Sequence, residues 1–137
     1  MNNIRIQLAF SSALFLLGCT PVVSTHSTPG GPKISAYVTK VGNDTFVSLS
    51  IKRVNDSTSW KVEFPNETPL DLSMEDIPGQ TIVKWKLDSD RLNASTIKPY
   101  LLNLNFNGNT YSTTVNFRKF HQQIALDTIE NVIIQNL

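Results

Sequence analysis

From residue 33 onward, apolar and polar side chains alternate with a period of two, and turn-forming residues cut the alternation at short intervals. Ile34, Ala36 and Val38 alternate with Ser35, Tyr37 and Thr39 before Gly42-Asn43-Asp44 turns the chain. Val47, Leu49 and Ile51 alternate with Ser48, Ser50 and Lys52, and Asn55-Asp56-Ser57 follows. Trp60, Val62 and Phe64 form a third run that stops at Pro65, Leu70, Leu72 and Met74 a weaker fourth that stops at Pro78-Gly79, and Val83, Trp85 and Leu87 a fifth. Tyr100, Leu102, Leu104 and Phe106 then face Tyr111, Thr113, Val115 and Phe117 across Asn107-Gly108-Asn109, residues that accept positive φ in a hairpin turn. Period two is the mark of a strand with one buried face.

Seven one-sided strands in about 85 residues are buried most simply by two sheets packed face to face. The expected fold is therefore all-β, a small sandwich of about seven strands. It resembles the immunoglobulin-like sandwich in architecture, with Trp60 on the third strand and Tyr100 opening the sixth; the cysteine pair of antibody domains is missing. A small β-barrel gives much the same pattern and is the alternative. Residues 89–99 form a connection of mixed character with one helical turn around residues 92–97. In the tail, Asp127 and Glu130 are spaced as a capping box ahead of Ile129, Val132 and Ile133, which predicts a short C-terminal helix. A strand is the competing expectation, because β-branched residues dominate there. These apolar residues need cover, from the domain's own edge or from a partner.

The first residues follow a different pattern. Arg5 supplies a positive start and residues 8–17 an apolar core of about ten residues, the length of a signal peptide and too short to span a bilayer. The core ends in Leu16-Leu17-Gly18-Cys19, which holds the only cysteine of the chain. This order resembles the bacterial lipobox. The resemblance implies that residues 1–18 are a lipoprotein signal peptide cut before Cys19, and that the Cys19 thiol carries a diacylglyceryl group and the new amino terminus an acyl chain. A single acyl chain holds a protein to a membrane only marginally, whereas two or three hold it firmly. Thr20, rather than aspartate, follows the cysteine, and in the enterobacterial sorting pattern this implies the outer membrane, with the domain facing the periplasm. Residues 19–32, rich in Pro, Gly, Ser and Thr, read as a lipidated tether reaching roughly 40 Å when straight. Residues 33–137 then form a single domain.

Composition narrows the chemistry. Removing residues 1–18 of the 137 leaves 119, enough for one ordinary domain. The whole chain has 12 basic and 11 acidic residues, so it lacks the basic excess that general nucleic-acid binding requires. With Cys19 committed to lipid, packing alone must hold the fold. Four N-x-S/T triplets, at Asn43, Asn55, Asn66 and Asn93, follow from an Asn-, Ser- and Thr-rich composition.

No constellation for catalysis emerges. The two histidines, His26 in the tether and His121 near the tail, have no nearby ligand set, and no glycine-framed nucleophile occurs. Asp88-Ser89-Asp90 with Asn93 lacks the third acid, the glycine and the closing glutamate of a calcium loop, and reads as a solvated loop. Glu75-Asp76 are adjacent and do not face each other across a substrate. The chain is thus expected to be no enzyme and to need no cofactor or metal. If the second and fifth strands are neighbours, Lys52, Lys84 and Lys86 share one outward face, a candidate patch for an acidic protein, lipid phosphate or peptidoglycan carboxylate. The opposite sheet presents Asn103, Asn105, Ser112, Thr114 and Asn116.

These features point to a membrane-anchored binding module with a protein partner in the cell envelope. The layout is similar to that of the type VI secretion lipoprotein, a small lipidated β-sandwich, though without motifs of that family. An accessory outer-membrane role in a secretion, conjugation or pilus apparatus is the first expectation. A surface-exposed lipoprotein that binds a host molecule or carbohydrate, or an inhibitor of a periplasmic enzyme, is the alternative.

Overall fold

The computed structural model describes residues 20–22, 25–26, 31–53, 55 and 57–134. The strands of the domain are β3 (Ile34–Val41), β4 (Asp44–Lys52), β5 (Lys61–Glu63), β6 (Leu70–Ile77), β7 (Gln80–Lys86), β8 (Tyr100–Phe106), β9 (Asn109–Phe120) and β10 (Gln123–Ile134). They follow two short segments, β1 (Thr20–Val22) and β2 (Thr25–His26). One sheet has the order β1-β3-β4-β7-β6 and the other β2-β10-β9-β8-β5. The sheets stay separate, so the fold is a sandwich rather than the alternative barrel. Within it, β3-β4-β7-β6 over β9-β8-β5 reproduces the strand order of a constant-type immunoglobulin sandwich. Strand β10 is an addition beyond β9.

The alternation read from the chain is what buries the core. Ala36, Val47, Leu49, Ile51, Val83 and Trp85 from one sheet meet Leu102, Leu104, Val115 and Ile129 from the other, all fully enclosed. At the centre Trp85 packs edge-on against Phe64 and Tyr100, each at 5.1 Å between ring centroids. Trp60, expected in the immunoglobulin-like position, is buried just before β5 but packs at one end, 4.9 Å from Phe106, with its indole N–H donating to the Lys52 carbonyl at 3.0 Å. The central tryptophan is Trp85.

Two expectations need correction. The weak fourth run feeds the core only through the partly buried Leu72: a register irregularity between Leu70 and Ser73, with Asp71 at φ +51°, leaves Leu70 and Met74 exposed on β6. The C-terminal segment is a strand and not a helix. It pairs with β9 along its length, on the edge of β9 opposite the one that β8 covers. The β-branched residues favour the extended backbone, and Asp127, expected to open a helix, sits at a bulge between Leu126 and Thr128.

The helical turn exists but lies earlier than expected, as α1 (Ser89–Asn93) between β7 and β8. Part of the expected tether meets sheet edges: Thr20–Val22 pairs antiparallel with β3 and Thr25–His26 parallel with β10. Open edges carry unpaired N–H and C=O groups, which a segment with little to bury can still satisfy.

Candidate docking surfaces

The motif residues Leu16, Leu17, Gly18 and Cys19 lie outside the described residues. The lysines fall as the strand reading expects. Strand β4 pairs with β7, placing Lys84 opposite Ser48, Lys86 opposite Phe46 and Lys52 opposite Gln80, so all three lysines share the outer face of that sheet. The face does not act as a uniform cationic patch. Lys86 is paired with Asp44 at 3.1 Å, and the Lys84 ammonium lies 4.8 Å from the centre of the Phe46 ring. An exposed pair of this kind contributes only about 0–1 kcal/mol and a cation–π contact about as much.

The other outer face carries Asn103 and Asn105 on β8 and Ser112, Thr114 and Asn116 on β9, as expected. Part of this surface is internally satisfied: Thr110 donates to the Asn105 side chain, and the Asn116 amide donates to the Thr128 hydroxyl at 3.1 Å. Of the two carboxylates considered as a pair, Asp76 accepts from the Thr81 hydroxyl at 2.6 Å while its neighbour Glu75 belongs to the opposite face of β6. His121 sits at the β9–β10 turn with its ring 4.3 Å from that of Phe120. Among the described residues no group of three or more His, Cys, Asp or Glu is placed to hold a metal.

The most elaborate polar arrangement was read only as a solvated loop. Asp88 is the N-cap of α1, its Oδ1 accepting from the Arg91 backbone at 2.8 Å. Arg91 is 5% exposed, and its five N–H donors all find acceptors. Nη1 and Nη2 grip Glu67 at 2.8 and 2.6 Å, Nη1 also reaches Asp88 at 2.6 Å, and the Lys98 and Pro99 carbonyls take the rest. The guanidinium lies 3.6 Å from the centre of the Tyr100 ring. Burial works against the Arg91 charge, but the Glu67 and Asp88 carboxylates more than reverse this and hold it protonated beyond its ordinary range. Burial likewise pushes Asp88 up, and the hydrogen bonds and charge of Arg91 outweigh it, leaving the carboxyl below its usual value. Burial raises the Tyr100 phenol to about 12. A depression of about 280 Å³ opens beside this node, between Glu67, Asp90, Thr96 and Lys98. The Glu67 and Asp88 oxygens are occupied by Arg91, so the node organises two loops rather than presenting free acids.

Exposed apolar side chains mark the remaining surfaces. On β10, Ile129 is core, while Val132 (62% exposed), Ile133 and Ile134 emerge toward the strand's end. Phe120 is 69% exposed at the β9–β10 turn, where His121 and Gln122 both have positive φ, a conformation that costs a side-chain-bearing residue roughly 1–2 kcal/mol. The sequence signal for this tip was the run Phe120-His121-Gln122 in a place where turn formers are absent.

No family model matches the chain, and no curated protein or solved structure is significantly similar to it. The small all-β sandwich is thus the class that its own strand order defines.

Proposed function

We propose that this chain is a membrane-anchored, non-catalytic protein-binding module of the bacterial cell envelope, an accessory outer-membrane lipoprotein facing the periplasm. The anchor is the acylated Cys19 behind Leu16-Leu17-Gly18. The observation that carries the binding role is the apolar end of β10, where Val132 and Ile134 are exposed on the outer long strand of its sheet; among the described residues, the far side of β10 pairs with β2 at Ile129 and Glu130. An extended segment of a partner can add to such an edge: main-chain hydrogen bonds give it hold, and alternate side chains give it selectivity. Anchoring raises the module's concentration beside envelope partners and favours a weak edge contact. The machine served is of the secretion, conjugation or pilus type, by analogy of layout with the type VI secretion lipoprotein. The lysines Lys52, Lys84 and Lys86 are a secondary patch, since two of them already have intramolecular partners.

The test is the Cys19→Ser chain, expressed in full. It should lose the mass of the acyl chains and move from the membrane to the soluble fraction. In the acylated chain, a photocrosslinker at Val132 should capture one discrete envelope protein, and one at Glu75 should not. A chain with an unmodified Cys19 thiol removes the anchor, and equal capture at both positions removes the edge.

A further inference from the structure

Two hairpin turns at one corner of the sandwich, one from each sheet, carry exposed apolar and basic residues. The β3–β4 turn carries Lys40 and Val41, the latter 57% exposed, and the β9–β10 turn carries Arg118 and Phe120. Both turns lie at the same end. Leu87, following β7, donates its N–H to the Thr45 carbonyl at the start of β4, and the Lys119 ammonium reaches the Leu92 and Ala94 carbonyls of α1 at 2.7 and 3.2 Å. They also lie on the same side, because β3 and β10 are the outermost long strands of their sheets and pack near each other. The chain enters at this corner as well, since Thr20 pairs with Val38, three residues before Val41.

We infer that this corner is a membrane-contact surface. Phe120 and Val41 sit at the depth of the headgroups, and Lys40 and Arg118 face anionic lipid phosphate. The inference rests on the anchor reading of Cys19, which places the acyl chains one residue before Thr20. A phenylalanine ring and a valine gain by burying apolar surface at the boundary of headgroups and acyl chains, and cations add attraction to an anionic surface. A hairpin tip suits this depth because its backbone groups are paired within the hairpin. The exposed apolar end of β10 near Ile134 is the rival site, and it lies at the opposite end of that strand from the β9–β10 turn. The geometry therefore separates two tasks: the corner meets the bilayer, and the far end of β10 stays available to protein.

The experiment uses the acylated chain reconstituted in phosphatidylethanolamine and phosphatidylglycerol vesicles, with an environment-sensitive fluorophore on Phe120→Cys or, separately, on Ile134→Cys. Quenching by lipids brominated near the headgroup should be strong at 120 and weak at 134. Equal quenching, or the reverse order, overturns the inference. The mass of the same sample reports acylation. If Cys19 carries no lipid, the anchor reading fails by itself, and the corner is judged from co-sedimentation of the Cys19→Ser chain with phosphatidylglycerol vesicles. Binding that weakens ~30-fold in Lys40→Gln with Arg118→Gln then upholds the corner. Absent binding, or binding indifferent to both substitutions, sinks it.

Discussion

Two of the buried polar sites in this sandwich, around Arg91 and around Asn131, are built in opposite ways. Arg91 has its five N–H donors matched by two carboxylates and two carbonyls, and its flat face lies on Tyr100. Thr113 and Asn131, opposite each other on β9 and β10, are 0% and 2% exposed, and the Thr113 hydroxyl and both polar atoms of the Asn131 amide have no hydrogen-bond partner. A charge is far costlier to bury than an amide, yet here the charge is the better accommodated of the two. The difference lies in what surrounds them. Arg91 sits among loops, whose free carbonyls and acidic side chains can be bent toward it. Asn131 sits inside a ladder, where neighbouring backbone groups are already committed to strand pairing.

Breaking the Arg91 node should therefore give the largest effect. In Arg91→Met the side chain still fills space over Tyr100, but Glu67 and Asp88 lose their counter-charge and the Lys98 and Pro99 carbonyls their donors. Loss of one partner from a buried ion pair costs about 3–5 kcal/mol, and because Glu67 and Asp88 keep some access to water the lower end is expected. Urea unfolding measures this directly. Arg91→Lys keeps the charge but not the fork, and should recover less than half of the loss. A full recovery would mean that charge alone matters at this node.

The same node sets the behaviour of the fold at extreme pH. Tyr100 is raised to about 12 from an ordinary value of 10.0, so its folded form holds the proton more tightly than the unfolded chain does. Its contribution is fully present below pH 10 and is lost as pH rises from 10 to about 12, a loss of about 2–3 kcal/mol. Asp88 has the opposite sign. Its lowered value makes the contribution present above the ordinary carboxyl range, and it disappears as pH falls through the folded value. Urea midpoints followed across pH 9–12 should decline in the native chain and hold nearly level in Tyr100→Phe over that phenol-specific window. An equal decline in both chains would place the alkaline weakness elsewhere.

How legible these two sites were differs as well. Strands β3, β4 and β7 to β9 could be read because every second residue is apolar and the turns between them use Gly or Asn; Asn107 and Gly108 both take positive φ between β8 and β9. Strand β10 escaped a clear reading because the bulge after Leu126 shifts its parity. Inward positions run Ile124 and Leu126, then Ile129, Asn131 and Ile133. One extra residue turns a period of two into spacings that resemble a helix, and a polar residue at an inward position removes another match. Arg91 was unreadable for a different reason. Apart from Asp88, three residues before it, its partners come from the β5–β6 connection, 24 residues away, and from carbonyl groups, which the side-chain sequence does not display. Among the candidate surfaces, the shared face of Lys52, Lys84 and Lys86 followed from strand adjacency. The pairing of Lys86 with Asp44 did not, because it depends on which outward neighbours meet across the turn.

The smaller and more revealing test concerns Asn131. If its unpaired amide is simply a polar group in an apolar place, Asn131→Leu together with Thr113→Val removes the desolvation cost of three polar atoms at little change in volume. The doubly substituted chain should be more stable by about 1–3 kcal/mol, read as a higher urea midpoint with an unchanged slope. Arg91→Met and this pair would then move in opposite directions, as expected when a buried polar group's value depends on its partners. A one-residue slip of β10 would turn Val132 and Ile134 inward but Glu130 with them, so the charge at Glu130, and not Asn131, holds the register, and crosslinking at Val132 should be unchanged in the doubly substituted chain. Loss of stability would reverse the comparison, making Asn131 and Thr113 a satisfied pair through a buried water, which a slow-exchanging resonance in water-to-amide NMR transfer would reveal.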